Sequence, residues 1–508
     1  MDDEVEVNQA LQKIAKGTGM VFVGSVISMF FGFLSRAVIA RYFTTSEYGV
    51  FNLALTVLNI GLVFATLGFP SALPREVAFY KEKQPSQLCE LISTALLITT
   101  LNSTFWVIIL ILEAENIAQI FNEEKLILAL RVMILALPFA SLTGLIVSIS
   151  RGFGRVRENI YFKSVFFSSL FFIFILFGTL LKLSVTFIFS AYVLAQAFTF
   201  LALAFDVWKI KLFEFRISLN LKIGKEIVAF SLPLMLTGVL GYIMNWTDTL
   251  MLGYYKSSEV VGIYNAATPL ARLLPMFLSS VAFIYMPIAS SLYAQGKVKE
   301  LKRVYQILTK WVFLLTLPFF TIIFIFPETS INFTFGNKYA GASQVLQILA
   351  LGFMFHTFLG LNGLSLIVIG APRLNLIGDL FAAIFNVFFN VLLIPNYGII
   401  GASIATAISY FVANVFRSFW LYKKTGIHPF SWNYVKLLLI SFVVLGCLKA
   451  LNLRVNNVWY IVLILVLFLG VYFLLVLLSK SIDKEDIELL VIVKEKLKKT
   501  LLRESDNH

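Results

Sequence analysis

Runs of about 20 mainly apolar residues recur along the whole chain, divided by short polar stretches. About 14 such runs can be counted, beginning near residues 17, 48, 88, 126, 160, 184, 226, 261, 308, 343, 373, 399, 433 and 457. Each has the length that an α-helix needs to cross the hydrocarbon core of a bilayer. A β-barrel would show segments about half as long with period-two alternation, which is missing. The pattern predicts an all-α polytopic membrane protein with about 14 transmembrane helices.

A second pattern lies inside the first: one stretch occurs twice. Arg36 to Asn52 reads RAVIARYFTTSEYGVFN, and Asp248 to Asn265 reads DTLMLGYYKSSEVVGIYN. With one inserted residue, Tyr42, Ser46, Glu47, Gly49 and Asn52 fall on Tyr254, Ser258, Glu259, Gly262 and Asn265. The match continues further on, with Gly154 on Gly370, Arg157 on Arg373 and Asn159 on Asn375. The predicted organisation is two pseudo-symmetric six-helix lobes, 17–206 (helices 1–6) and 226–421 (helices 7–12), joined by a basic cytoplasmic linker, 207–225. Residues 1–16 form a polar N-terminal segment, helices 13 and 14 occupy 422–479 outside the repeat, and 480–508 read as a cytoplasmic amphipathic tail. Six is an even number, so both lobes insert the same way up, with a pseudo-twofold along the membrane normal and a substrate path between them.

Composition strengthens the membrane reading. Of 508 residues, 59% are hydrophobic and 14% charged, whereas soluble domains are closer to half and a quarter. The net charge of +13 is explained by placement rather than by nucleic acid. With the N-terminus inside, cytoplasmic segments hold about 30 of the 41 Lys and Arg residues. External segments hold roughly 8. Both termini are therefore expected in the cytoplasm of a multi-pass protein of the cell (inner) membrane, with basic loops touching anionic lipid. The first 16 residues are polar and acidic and no small-residue cleavage site follows the first run, so that run is expected to be a retained helix. Cys89 and Cys447 supply neither a disulfide framework nor a metal spacing.

No phosphate-binding Gly-rich loop, metal cluster or catalytic triad is present in the sequence, so neither enzyme chemistry nor a cofactor is expected. His356 has no partner at ligand spacing and reads as a helix–helix hydrogen bond. Polar stripes at helical spacing carry more information. Helix 1 presents Ser25, Ser28, Gly32 and Arg36, and helix 7 presents Thr237, Gly241, Asn245 and Asp248. Helix 2 presents Asn52, Thr56, Asn59 and Thr66, and helix 8 presents Asn265, Thr268, Arg272 and Ser279, with Asn59 set against Arg272 by the repeat. Charge at mid-membrane is costly and is normally directed at water or a partner, so the four faces predict one shared hydrated cavity. Arg36 is within snorkelling reach of the outer interface, whereas Asp248 is too short to snorkel and Arg272 lies too deep. Arg417, one turn from the cytoplasmic end of its helix, reads as snorkelling. Asp379 sits near a helix N-terminus, which favours an acid. Arg75, after Pro70 and Pro74, reads equally as a topogenic charge or as an inner gate that meets phosphate. Pro233, Pro269, Pro275, Pro287 and Pro318 break hydrogen bonds inside spans, as cavity-lining or hinge helices do.

The segments FLSRAVIARYFTTSEYGVFN, GFPSALPREVAFY and NWTDTLMLGYYKSSEVVGIYNAATPL resemble oligosaccharide (polysaccharide repeat-unit) flippases of the multidrug/oligosaccharidyl-lipid/polysaccharide exporter superfamily. The resemblance covers most of the chain through loose patterns. It implies two six-helix lobes, alternating access, and passage of a polyprenyl- or dolichyl-phosphate-linked oligosaccharide to the outer leaflet. A relative in that superfamily, the peptidoglycan-precursor flippase, has an arginine-lined cavity and a groove bordered by its last two helices. Carried over, Arg36 and Arg272 would contact the diphosphate and helices 13 and 14 would border the lipid tail. That relative's arginine-rich first helix is matched here only by Arg36 and Arg41, which argues against peptidoglycan precursor as substrate. The expected substrate-binding set is Arg36, Arg272, Arg75, Asn52, Asn59, Asn245 and Asn265. Asp248 and Asp379 are the expected counter-ions or ion-coupling sites for H+ or Na+, with Asp248 pairing with arginine in the empty cavity. Guanidinium suits phosphate because its fork donates two hydrogen bonds and stays charged. The expected partners are the lipid-linked oligosaccharide, membrane lipids and other polysaccharide assembly proteins. The competing readings are a cation-coupled multidrug exporter, which favours carboxylates over arginine, and a membrane-embedded glycan polymerase or ligase. The latter needs a large external loop, and the longest here, such as Glu113–Lys125 and Pro327–Ala342, run to only about 15 residues.

Overall fold

The computed structural model describes residues 23–213, 219–451 and 458–481. The N-terminal segment, part of the linker and the tail expected to be amphipathic lie outside the described residues. Among those described, every regular element is helical. The first half contains α1 (Val23–Tyr42), α2 (Thr45–Thr66), α3 (Phe69–Lys83), α4 (Pro85–Leu112), α5 (Ala114–Ile120), α6 (Lys125–Met133), α7 (Leu137–Gly152), α8 (Phe167–Leu180) and α9 (Val185–Lys209). The second contains α10 (Leu221–Tyr255), α11 (Ser258–Ala271), α12 (Met276–Ala294), α13 (Val298–Ile325), α14 (Pro327–Thr334), α15 (Ser343–Phe358), α16 (Asn362–Val368) and α17 (Pro372–Thr425). After these come α18 (Trp432–Ala450) and α19 (Val458–Leu478), which pack on each other and on α13.

Among the described residues, 10 helices are long and apolar enough to cross a membrane, or 11 with the bent α10 counted as one span. The expected fourteen do not separate cleanly, because several spans are broken. Positive φ at Leu67 and Gly68 divides α2 from α3. A turn at residues 272–275 divides α11 from α12, between Pro269 and Pro275. The two pieces of α10, Leu221–Leu236 and Gly238–Tyr255, meet at 40°. Helix α17 has 54 residues but is non-helical at Gly398 (φ 53°, ψ −128°). Contacts between Asn386 and Thr406 and between Asp379 and Arg417 show that its two arms run antiparallel about that point.

The duplication is visible in the backbone. Gly154 and Gly370, paired by the repeat, both hold a left-handed φ, 77° and 74°, which glycine adopts without strain. The copies also meet each other. α2 begins with a capping box in which Thr44 and Glu47 satisfy each other's backbone donors. In the second copy, Ser257 caps α11 through Val260 N–H, and the inserted residue moves Glu259 off the capping position. Glu259 instead accepts a bond from Thr45 across the seam at 3.4 Å. The equivalent serines, Ser46 and Ser258, are hydrogen-bonded at 2.8 Å. The equivalent glycines lie backbone to backbone: a Cβ on Gly49 would stand 1.7 Å from Ser258 O, and one on Gly262 2.1 Å from Thr45 O. The same end is strapped twice more. Arg41 donates to the carbonyls of Phe333 and Thr334 at the end of α14, and Lys338 donates to those of Arg41 and Phe43. Cations at helix C-termini satisfy carbonyls left unpaired by the last turn. At the other end of the seam, Gly68 sits against Ser231 O and Met235.

Candidate functional site: a cationic cavity between the lobes

α10 brings Asn245, Trp246, Asp248 and Thr249 to a narrow cavity, and α11 brings Tyr264, Asn265 and Thr268. Arg36 of α1, Thr406 and Tyr410 of α17, and Arg272 complete its polar lining. The free space is about 20 Å³, room for about one water molecule. The lobes are therefore closed around the site.

Arg272 is the C-cap of α11 and stands where that span is broken. Its Nη2 donates to Asn245 O at 3.0 Å, and its guanidinium carbon lies 5.9 Å from the centre of the Trp246 ring. A guanidinium has five N–H donors, and among the described residues this is its only hydrogen bond. Arg36, half-buried on the other side, has no hydrogen-bond or ion-pair partner among the described residues. Two cations, one from each lobe, therefore share a cavity with most of their donors unspent.

Asp248 does not discharge them. It is 7% exposed, and its two oxygens are filled by neutral donors. Oδ1 accepts from Asn386 at 3.2 Å and Asn390 at 2.7 Å; Oδ2 accepts from Tyr264 and Thr406, each at 2.5 Å. A carboxylate offers about four lone-pair sites, and all are used. In this closed conformation the expected Asp248–arginine pair is not formed; the carboxylate faces a cage of amides and hydroxyls inside the C-lobe. Asn390 Oδ1 in that cage is buried with no hydrogen-bond partner among the described residues.

Of the nine expected residues, Arg36, Arg272, Asn245, Asn265 and Asp248 line one cavity. The other four are elsewhere. Asn52 is fully buried and donates to Tyr48 O within its own helix at 2.7 Å. Asn59 lies beside Tyr242. Arg75 is exposed, bonded to its neighbour Glu76, and lies 4.7 Å from the Phe230 ring of α10, at the seam rather than in the cavity. Asp379 pairs with Arg417 and accepts from Asn375 at 3.3 Å. Arg417 therefore does not snorkel: it is 8% exposed and ion-paired, because the second arm of α17 folds back onto the first. His356 forms an interhelical contact as expected, with Asn414 at 3.2 Å. The sequence reading missed Asn386, Asn390, Thr406 and Tyr264. The signal was available for two of them, since Asp379, Asn386 and Asn390 follow one another at seven and four residues along an apolar helix.

The sequence matches the polysaccharide biosynthesis protein family over residues 14–293, more than half the chain. The chain belongs to that family. The MatE family also matches, over residues 233–392, the part that carries Asp248, Arg272 and the first arm of α17. Among curated relatives, an uncharacterised membrane protein of Methanocaldococcus jannaschii is 24% identical over 91% of this chain and 95% of its own length. The probable low-salt glycan biosynthesis flippase Agl15 of Haloferax volcanii is 24% identical over 91% and 93%. The fold is similar to that of the lipid II flippase MurJ in an inward closed conformation, with a TM-score of 0.73, 18% identity, and coverage of 92% of this chain and 98% of that one.

Proposed function

We propose that this polysaccharide biosynthesis family member is a transporter that moves a polyprenyl- or dolichyl-(di)phosphate-linked oligosaccharide from the cytoplasmic to the outer leaflet by alternating access of its two lobes. The observation that carries the reading is the pair of under-satisfied guanidinium groups, Arg36 and Arg272, one contributed by each lobe to a single cavity. Charges held in a low-dielectric interior require compensation, and a sugar-linked diphosphate supplies it in a form that forked donors recognise. Asn245, Asn265 and Thr268 on the same walls suit sugar hydroxyls. Because the arginines come from opposite lobes, an anion bound to both draws the lobes together, and its differential contacts shift the conformational equilibrium. Family membership and the flippase relative support the same assignment. The lysine and arginine distribution supports cytoplasmic termini. Two arginines repel a cationic drug, which disfavours multidrug export, and the longest external segments hold just the short helices α5 and α14 and a 3-10 turn at Asn337–Ala342, too little for a polymerase. The test is the mass of the lipid-linked precursor that accumulates in host cells lacking the protein.

Ion coupling is part of the proposal. Asp248 with Asn386, Asn390, Thr406 and Tyr264 forms an oxygen-rich nest inside the C-lobe. Turning either amide end for end replaces a donor by an oxygen, and oxygen donors suit a hard cation such as Na+; the carboxylate alone suits a proton. Asp248→Asn removes the charge but keeps the shape. It should leave lipid-diphosphate binding within about threefold of the parent, below 1 kcal/mol, while abolishing any acceleration of translocation by an ion gradient. Gradient-driven flux unchanged in Asp248→Asn proteoliposomes would sink the coupling role.

A further inference from the structure

The cavity has an apolar neighbour. Between α2 and α10 lies a second pocket of about 130 Å³, walled by Ile60, Val63 and Phe64 on one side and by Val239, Tyr242 and Trp246 on the other. Trp246 belongs to both cavities. Resting on the function proposed above, we propose that this slot, between α2 and α10 and not along the last two helices as the resemblance implies, holds the first isoprenoid units of the lipid-linked substrate while Arg36 and Arg272 hold its phosphates.

Three observations commit the slot to that occupant. First, the partition is thin: Arg272 lies 5.9 Å from the Trp246 ring centre, so a phosphate bonded to Arg272 places its ester oxygen within reach of the slot. Trp246 stacks on Tyr242 (ring centres 6.0 Å apart, 19° between planes), and the Tyr242 hydroxyl donates to Thr56 O at 3.3 Å, which fixes this aromatic wall to α2. Secondly, the slot borders surface that an apolar chain can cross. Phe64 is 37% exposed and Leu236, at the bend of α10, is 61% exposed, so apolar surface continues outward from the slot. Thirdly, its neighbour is dicationic, which suits a chain ending in a diphosphate better than a zwitterionic phospholipid. The slot therefore orders the substrate from tail to head across one tryptophan. Because one lobe supplies each wall, separating the lobes opens the slot and the arginine cavity together.

In a bilayer the slot adds orientation more than affinity, since lipid tails are as apolar as its walls. A short probe arriving from water gains affinity on burial, and this makes the assignment measurable. Binding of geranyl diphosphate (ten carbons) and of inorganic diphosphate would be measured on the full purified chain. Val239→Trp and Ile60→Trp would be compared with the parent, each filling the slot from a different lobe. The expected result is geranyl diphosphate bound roughly tenfold more tightly than diphosphate by the parent, with that advantage lost in both variants while diphosphate affinity stays unchanged. Retained diphosphate affinity also shows that the variants fold. Equal affinity of the parent for the two probes, an undiminished geranyl advantage in both variants, or displacement of geranyl diphosphate by phosphatidylcholine would overturn the slot and leave the head-group site standing. Failure of the parent to bind diphosphate at all would overturn the function reading and the slot with it.

Discussion

Arg272→Ala should reduce translocation of a lipid-linked oligosaccharide by roughly 30- to 1,000-fold, the equivalent of losing about 2–4 kcal/mol of contact to a phosphate. Arg36→Ala should have a comparable effect, and the double substitution should lose much less than the product, because both residues act on one ligand. Two features set the size. Arg272 spends one hydrogen bond on Asn245 O and Arg36 spends none among the described residues, so both have donors available for the ligand. The low-dielectric cavity makes each such bond stronger than at a surface. Arg272→Lys keeps the charge but loses the fork, and should recover part of the rate while remaining about tenfold down. Initial rates in proteoliposomes, with reconstituted amounts matched, measure this. Rates within a factor of two of the parent for both alanine variants would remove the arginines from substrate binding.

Gly49→Ala and Gly262→Ala are expected to have the second large effect, on conformation rather than on ligand. The added methyl on either glycine meets backbone oxygen, at 1.7 or 2.1 Å, and no rotamer change relieves a backbone contact. Overpacking costs about 1–3 kcal/mol even where side chains can adjust, so the closed seam should lose its population by roughly tenfold to a hundredfold or more. Cysteines at Ser46 and Ser258, whose hydroxyls are 2.8 Å apart, report the seam directly once Cys89 and Cys447 have been replaced. The pair should cross-link readily in the parent background, and cross-linking should arrest transport until a reductant is added. In Gly49→Ala the cross-link yield should fall sharply. Full transport with the seam cross-linked would mean that this interface does not open during the cycle.

The helical membrane fold and its duplication were legible in the sequence, because bilayer thickness and the need to satisfy every backbone group leave helices little freedom. The span count was not, since Leu67, the turn at 272–275 and Gly398 break or reverse helices within continuously apolar sequence. Arg36, Asn245, Asp248, Asn265 and Arg272 were legible as polar positions on apolar helices. Asn52 shows the limit: helical spacing identifies a polar face but not which neighbour it turns towards, and Asn52 turns into its own helix. Asp379 and Arg417 each looked like an isolated charge, and only the fold-back of α17 makes them a pair. The cage around Asp248 was hidden for the same reason, since its donors come from α11 and both arms of α17. The duplicated motif gained a meaning that alignment does not contain: its shared serines and glycines form the contact between the lobes, while the positions where the copies differ, Arg36 and Asp248, face the cavity.

If this cavity carries a lipid-linked glycan, loss of the protein changes the composition of the cytoplasmic-leaflet lipid pool. In host cells lacking the protein, lipids would be extracted and polyprenyl- or dolichyl-linked glycans identified by mass. One lipid-(di)phosphate-linked oligosaccharide should accumulate, inaccessible to glycan-modifying reagent added outside the cell, and be cleared when the intact gene, but not the Arg36→Ala/Arg272→Ala variant, is restored. An unchanged pool, or clearance by the double variant as complete as by the parent, would contradict it.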